Sequence, residues 1–439
     1  MALLTKRVLV SLLGGIIVGE LIINGYSITA TLHALLDMSI LLFTTPWILK
    51  TFGFMLLMGS VMHLMERSGG VNGFVYMLTH KLSLVKSDRA ALMLVYIIGI
   101  IIFIETSITV LIAGAVGRPL CDAHQISRAK LAYVCDSTSA PVGSILMFNG
   151  YGALMLGLIT AQMSLGFMEG ESVEWLIDAV LLNFYSILAL VVTFFVIWFK
   201  IDIGAMRHAL VKSEISVIDE GGHPLYMIVP IILMVGGVFL FLYITGEGNI
   251  LKGSGSSSIF YTMVMTLVLI GLFFVVKRVM PLKTVVSESF KGMRSMIGIT
   301  SILFFAFAIG QVTSDMHTGM YLASYVNDVL SPTWLAAAVF LLAAVMSFST
   351  GTSWGTFSIM VPIAIPLAVA MDADIALVLG AVISGGVFGD HCSPISDTTI
   401  ISSMATGCEH VEHVKTQLPY ALFSGLLAFI LFALFGMFR

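Results

Sequence analysis

A chain of 439 residues, 58% of them hydrophobic and only 10% charged, is no ordinary soluble domain, where roughly a quarter of residues carry charge. The net charge of −4 is small and no basic tract is present, which argues against a nucleic-acid partner. The four cysteines (Cys121, Cys135, Cys392, Cys408) contain no CxxC pair, so they give no disulfide framework and read as packing residues.

A membrane span needs about 20 mainly apolar residues. Lys6-Arg7 precedes an apolar run from Val8 to about Ile23 with no small-x-small cleavage site after it, so a retained first helix is expected. Residues 28–46 are ambiguous between a span and an interfacial helix. Further windows fall at 49–66, 91–113, 142–166, 174–199, 225–244, 258–276, 296–313, 335–350, 355–371, 375–389 and 418–437. Several are short enough to belong to broken or re-entrant helices. The fold class expected is an all-α polytopic membrane protein of about 10–12 transmembrane helices. Lys and Arg gather at segment ends (Lys6-Arg7, Lys81/Lys86/Arg89, Lys200/Arg207/Lys212, Lys277-Arg278), a bias of cytoplasmic loops. The polar stretch Lys200–His223 reads as a linker, giving an N-terminal repeat over 1–200, a linker at 201–223 and a C-terminal repeat over 224–439.

Two polar interruptions stand out. Cys135–Pro141 reads CDSTSAP, and Gly389–Ser403 reads GDHCSPISDTTIISS. Hydrocarbon offers nothing to freed amides and carbonyls, so a broken helix survives at depth only inside protein or against a polar cavity. Pro141 and Pro394 each remove a donor and push the preceding residue out of helical geometry. The halves repeat an order of features. Gly59 and Glu66 precede Glu105-Thr106-Ser107 and then Asp136-Ser137-Thr138. Gly310 and Asp315 precede Gly351-Thr352-Ser353 and then Asp390 through Asp397-Thr398. Glu66 to Glu105 spans 39 residues, and Asp315 to Gly351 spans 36. Asp136 matches either Asp390 or Asp397. Such paired breaks belong to transporters built of two inverted repeats.

A carboxylate inside a membrane costs about 2.5–3.5 kcal/mol or more and faces a cavity or a partner. Asp136, Asp390 and Asp397 sit beside hydroxyls and unwound carbonyls, the oxygen set a hard cation such as Na⁺ takes. The plainer role for each is a helix cap. Glu105 looks the most deeply embedded and suits a proton carrier, or an ion pair with Arg118. Ser347–Thr356 lets backbone approach a ligand closely, or simply packs helices. Arg118 reads as part of a cytoplasmic turn; the sharper role is a grip on a substrate carboxylate. His410 and His413 are explained better by an amphipathic surface helix than by a transition metal. No Walker loop, nucleophile elbow or zinc signature occurs, so neither an ATP-driven pump nor an enzyme is expected.

The strings ISRAKLAYVCDSTSAPV (126–142), GTSWGTFSIMVPIAIPLA (351–368) and GVFGDHCSPISDTTIISS (386–403) resemble the signature segments of the NhaC family of Na⁺/H⁺ antiporters, within the ion transporter superfamily. The resemblance implies an inverted-repeat fold with unwound segments meeting near the midplane of a bacterial inner membrane. It also implies a site lined by Asp136, Ser137, Thr352, Ser353, Asp390, Ser393, Asp397 and Thr398. Taken with the repeat, the candidate ion- and substrate-binding set adds Thr138, Glu105, Thr106 and Ser107. Na⁺ is expected at Asp390 and Asp397, with Asp136 completing a pseudo-symmetric partner site. Family members that carry malate and lactate or amino acids such as methionine keep Na⁺-coupled symport or exchange of an organic solute as the alternative. A passive channel is the rival of another class. No cofactor is expected beyond Na⁺ or H⁺ as coupling ions. The partners expected are the lipid bilayer, a small cation and an amino acid or carboxylate, with a homodimer left open.

Overall fold

The computed structural model describes residues 8–81, 87–103, 106–209, 222–326 and 330–438, and among these every regular element is helical. The first group is α1 (Val8–Ile23), α2 (Ile28–Thr44), α3 (Pro46–Arg67) and α4 (Gly70–Lys81). The next is α5 (Asp88–Ile101), α6 (Thr106–Ala123), α7 (Arg128–Ser137), α8 (Ala140–Ile145), α9 (Gly150–Ser164), α10 (Ser172–Leu181) and α11 (Phe184–Trp198). The second half runs through α12 (Leu225–Thr245), α13 (Gly255–Val276), α14 (Leu282–Ser295), α15 (Ile297–Asp315) and α16 (Thr318–Val326). It closes with α17 (Pro332–Thr350), α18 (Ser353–Ala370), α19 (Ile375–Cys392), α20 (Asp397–Thr406) and α21 (His410–Phe438). Eight spans are long and apolar enough to cross a membrane, or up to ten when bent pairs such as α10 with α11, at 43°, are each counted as one. Ten meets the lower end of the expected number.

Local chemistry sets the boundaries. Ser27, Ser127, Asn149, Asn183, Thr352 and Asp374 each accept an amide of the first turn that would otherwise lack a partner. Gly351 ends α17 with φ +66°, a left-handed turn open to glycine at no steric cost. Two expected spans divide. Residues 91–113 break after Ile101, and the Thr109 hydroxyl donates to the freed Ile102 carbonyl. Residues 142–166 break between Ile145 and Gly150, where Asn149 starts a new helix. A hydropathy window cannot see the second break, where one amide, Asn149, caps the new helix among many apolar residues. Within the stretch read as a linker, Gly204–His208 forms a short 3₁₀ turn, while residues 210–221 lie outside the described residues.

The two halves share one register. Arg128 to Ile375, Ile145 to Cys392 and Gly150 to Asp397 are each 247 residues apart. The packing is exchanged accordingly. α20 lies on α6 while its counterpart α9 lies on α18, and α21 lies on α7 while α11 lies on α19. This exchange fits the pseudo-two-fold relation expected of two repeats. The register corrects the expected pairing of carboxylates: Asp390 corresponds to Gly143, and Asp136 to Ile383.

The tightest helix pair is α17 with α19, whose glycines let backbones meet. A Cβ on Gly389 would stand 2.1 Å from the Ala344 carbonyl oxygen, whereas one on Gly236 of α12 meets nothing within 4 Å. Gly389→Ala is therefore expected to lose about 1–3 kcal/mol to overpacking. Gly236→Ala should gain about 0.5–1 kcal/mol from helix preference. Thermal unfolding of the two variants in detergent checks the opposite signs.

Candidate functional site

The breaks converge on a polar core. α7 unwinds at Thr138, whose hydroxyl turns back to the Val134 carbonyl, and the Ser139 amide closes the turn on the Asp136 carbonyl. α19 unwinds after Cys392. The Ser393 amide bonds the Asp390 carbonyl, and its hydroxyl donates to the Phe348 carbonyl at 2.7 Å. The proline at 394 cannot continue the helix, and the His410 ring donates from Nε2 to its carbonyl at 2.7 Å. Asn149 spans its own break, donating to the carbonyls of Phe103, Gly143 and Leu146 and accepting from the Gly152 amide.

Two carboxylates are sealed in this core, Asp136 at 0% and Asp390 at 1% exposure. Asp390 Oδ2 accepts from the Ser353 hydroxyl at 3.0 Å. That hydroxyl has one proton, so at 2.7 Å the Tyr151 phenol donates to Ser353 in turn. Asp390 Oδ1 is buried without a partner. Asp136 Oδ2 accepts from Gln417 Nε2 at 2.7 Å and lies 3.3 Å from both the His413 Nε2 and the Thr399 hydroxyl. Its Oδ1 likewise has none. The Gln417 amide also donates to the His391 carbonyl at 2.6 Å; two acceptors on that side fix its orientation and leave Oε1 buried and unmatched. The His391 ring is held at Nδ1 by the Tyr185 hydroxyl, 2.6 Å away, and at Nε2 by the Ser137 hydroxyl, 3.3 Å away.

Of the expected residues, the structure brings Asp136, Ser137, Ser353 and Asp390 into this core. Thr138 and Ser393 serve as turn-closing hydroxyls at its edges. Thr352 caps α18, and Thr398 bonds Ser396. Thr106 lies on α6 beside Gly143, where a Cβ would meet its methyl at 3.5 Å. Ser107 is half-buried in the next position. Asp397 is exposed as the first residue of α20, where it accepts from the Thr398 amide; the N-cap is Ser396, and Asp397 is not sealed in the core. Glu105 lies outside the described residues. Arg118 donates to the Met404 carbonyl as a strut between α6 and α20, not into the core. His413, expected at a membrane surface, is fully buried against Asp136. The helix starting at His410 turns one face inward, and His413 with Gln417, four residues apart, lies on it. That spacing was the signal for both residues. Tyr151, Tyr185 and His391 gave none, being ordinary core aromatics or a neighbour of a better candidate.

Buried, broken helices closing on two carboxylates are an arrangement that secondary transporters use. The sequence pattern of the Na⁺/H⁺ antiporter family matches residues 149–437, and the chain belongs to that family. A Haemophilus influenzae protein described only as uncharacterised is 35% identical over 449 residues, spanning 96% of this chain and 86% of its own. The Na⁺/H⁺ antiporter NhaC of Alkalihalophilus pseudofirmus is 28% identical over 140 residues, 32% of this chain and 30% of its own. Among solved structures, the Alcanivorax borkumensis YdaH transporter superposes with a TM-score of 0.61 at 16% identity, over 93% of this chain and 89% of that one; the likeness is one of fold.

Gln417→Leu removes the donor shared by Asp136 and the His391 carbonyl. It is expected to cost about 1–3 kcal/mol, the penalty for stranding buried acceptors. Denaturation of the detergent-solubilised variant measures it.

Proposed function

We propose that this chain exchanges Na⁺ for H⁺ across the bacterial inner membrane at Asp390. The observation carrying this reading is the sealed Asp390, whose Oδ1 has no hydrogen-bond partner and whose carboxylate is met only by neutral hydroxyls, those of Ser353 and Ser396. An ionised carboxylate in such a place is costly. One positive charge, as a bound proton or as Na⁺ held by Asp390 and neighbouring oxygens, removes that cost. Whichever ion is loaded permits the change of access, so competition for one carboxylate produces antiport. The pseudo-two-fold repeats supply the means, two arrangements of similar packing that open to opposite sides.

An organic anion fits the core less well. Arg118, Arg128 and Lys130 already donate to protein oxygens: Arg118 to the Met404 carbonyl, Arg128 to Asp122 and the Thr406 carbonyl, Lys130 to Asp202 and the Ile201 carbonyl. A substrate carboxylate would instead meet Asp136 and Asp390.

In proteoliposomes loaded with a pH-sensitive dye, external Na⁺ should drive proton movement by the wild type. Asp390→Asn should abolish it while still inserting. Ser353→Ala should raise the half-activating Na⁺ concentration about 2–10-fold, the worth of one hydrogen bond of about 0.5–1.5 kcal/mol. Wild-type Na⁺ dependence in Asp390→Asn overturns the assignment. Flux of labelled malate or amino acid without Na⁺-driven proton movement would replace the cation by an organic solute.

A further inference from the structure

We infer that the turn joining α12 to α13 binds a zwitterionic phospholipid, its head in a polar cavity and one acyl chain in the apolar cleft beside it; the inference stands apart from the ion chemistry of the core. The polar cavity, of about 460 Å³, lies between α3, α9, α10 and that turn, and Trp47, Glu171, Lys252, Ser254 and Ser256 are in its wall. The cleft, of about 200 Å³, is walled by apolar side chains, Leu156, Leu176, Leu242 and Ile259 among them, and by Gly255. Such a lining holds no water and takes an apolar occupant. Gly255 borders both spaces. A molecule that fills the two together is therefore polar at one end and apolar at the other.

The polar end is specified by charge. Among the described residues, Lys252 and Glu171 are the two charged side chains lining the cavity, and neither is answered by protein. Opposite charges left open in one cavity fit a ligand bearing both, a phosphodiester for Lys252 and a primary amine for Glu171. The start of α13 favours the phosphate in three ways. Ser254, its N-cap, makes no side-chain bond to the first-turn amides and donates instead to Ser257 at 3.0 Å, so those amides face an anion site. Lys50 donates to the same Ser257 hydroxyl at 2.8 Å, which sets a second ammonium beside the helix start. Ser256 is only 7% exposed, lines the cavity and bonds nothing with its hydroxyl, leaving a buried donor for a phosphate oxygen. Trp47 lies at head-group level, where such rings gather. The 22 residues of α13 lead from here to Lys277 in the basic cluster of the cytoplasmic side, so the lipid belongs to the opposite leaflet. Ile145, Met147 and Phe148, from the break between α8 and α9, form one wall of the cleft. The acyl chain thus braces from outside a break whose carbonyls Asn149 holds from within.

The test adds phosphatidylethanolamine to the delipidated full-length protein in detergent and follows the thermal unfolding midpoint, with bound lipid counted by native mass spectrometry. The midpoint should rise and level off at about one lipid per chain. Phosphatidylglycerol, which lacks the amine, should need at least about fivefold more lipid for half the effect, and Lys252→Gln should weaken the response to phosphatidylethanolamine as much. Glu171→Gln should respond equally to the two lipids. Lys252 and Glu171 are both exposed, so these variants keep the fold. Lys277→Gln, at the far end of α13, should match the wild type. Equal response of the wild type to the two lipids, or of Lys252→Gln and the wild type to phosphatidylethanolamine, would overturn the inference. So would a midpoint raised as far by inorganic phosphate, or by glycerophosphoethanolamine, the same head without its chains; the cavity would then take a soluble solute.

Discussion

A helix broken inside a bilayer frees carbonyls and amides that lipid cannot satisfy, and the architecture of this chain follows from how each is answered. Asn149 takes the Phe103, Gly143 and Leu146 carbonyls, Ser393 takes that of Phe348, His410 that of Pro394, and Gln417 that of His391. Most of these bonds join different helices. The breaks are consequently mutual supports, and the unwound segments are held at fixed positions without regular secondary structure. A third junction shows the same device: Asn183, between α10 and α11, donates to Ser144 and accepts from Ser384, tying the bend to both halves. Buried networks of this kind rigidify only when almost every member is matched. The few atoms left unmatched, Asp136 Oδ1, Asp390 Oδ1, Gln417 Oε1 and His413 Nδ1 among them, are informative for that reason.

The repeats keep a backbone register while their chemistry diverges. At equivalent places the first half has Gly143 and Asp136 where the second has Asp390 and Ile383. A symmetric backbone provides two packings of comparable energy, which alternating access requires. Unequal side chains then confine charge to a small region, where a single ion biases the balance. Two carboxylates at equivalent positions would double a burial cost of about 2.5–3.5 kcal/mol each at the same depth. Here one carboxylate is matched by an amide, a histidine and a hydroxyl, and the other by hydroxyls alone.

What the sequence disclosed, and what it hid, follows from the same physics. The all-helical membrane class came from composition, and the two breaks from prolines and hydroxyls crowding an apolar background. Asp136 and Asp390 stood out because charge is so rare in such a chain. Asn149 did not, since one amide in the run from Pro141 to Ser164 hardly changes hydropathy, although it ends one helix and starts another. His413 and Gln417 were hidden by their setting. They follow Glu409 and Glu412, and that local polarity resembles a surface helix until the partner on α7 is known. The pairing of the halves was obscured for a similar reason, because side chains at matched positions differ in kind. Only the helix ends, 247 residues apart, preserve the relation.

Under the exchange proposed for Asp390, sealing also bears on why the site would couple ions rather than leak them. Asp136 and Asp390 have no contact with solvent, so this conformation excludes the water that would otherwise hydrate a bare carboxylate. An unloaded Asp390 would then carry an uncompensated charge in a medium of low polarity, a penalty of several kcal/mol even after relaxation. Loading by a cation or a proton lifts that penalty. The closed arrangement is accessible when the core is occupied and costly when it is empty, and a carrier that must pass through closure cannot return without cargo. In that exchange, uncoupled leak would be suppressed by the same desolvation that makes the buried carboxylate expensive.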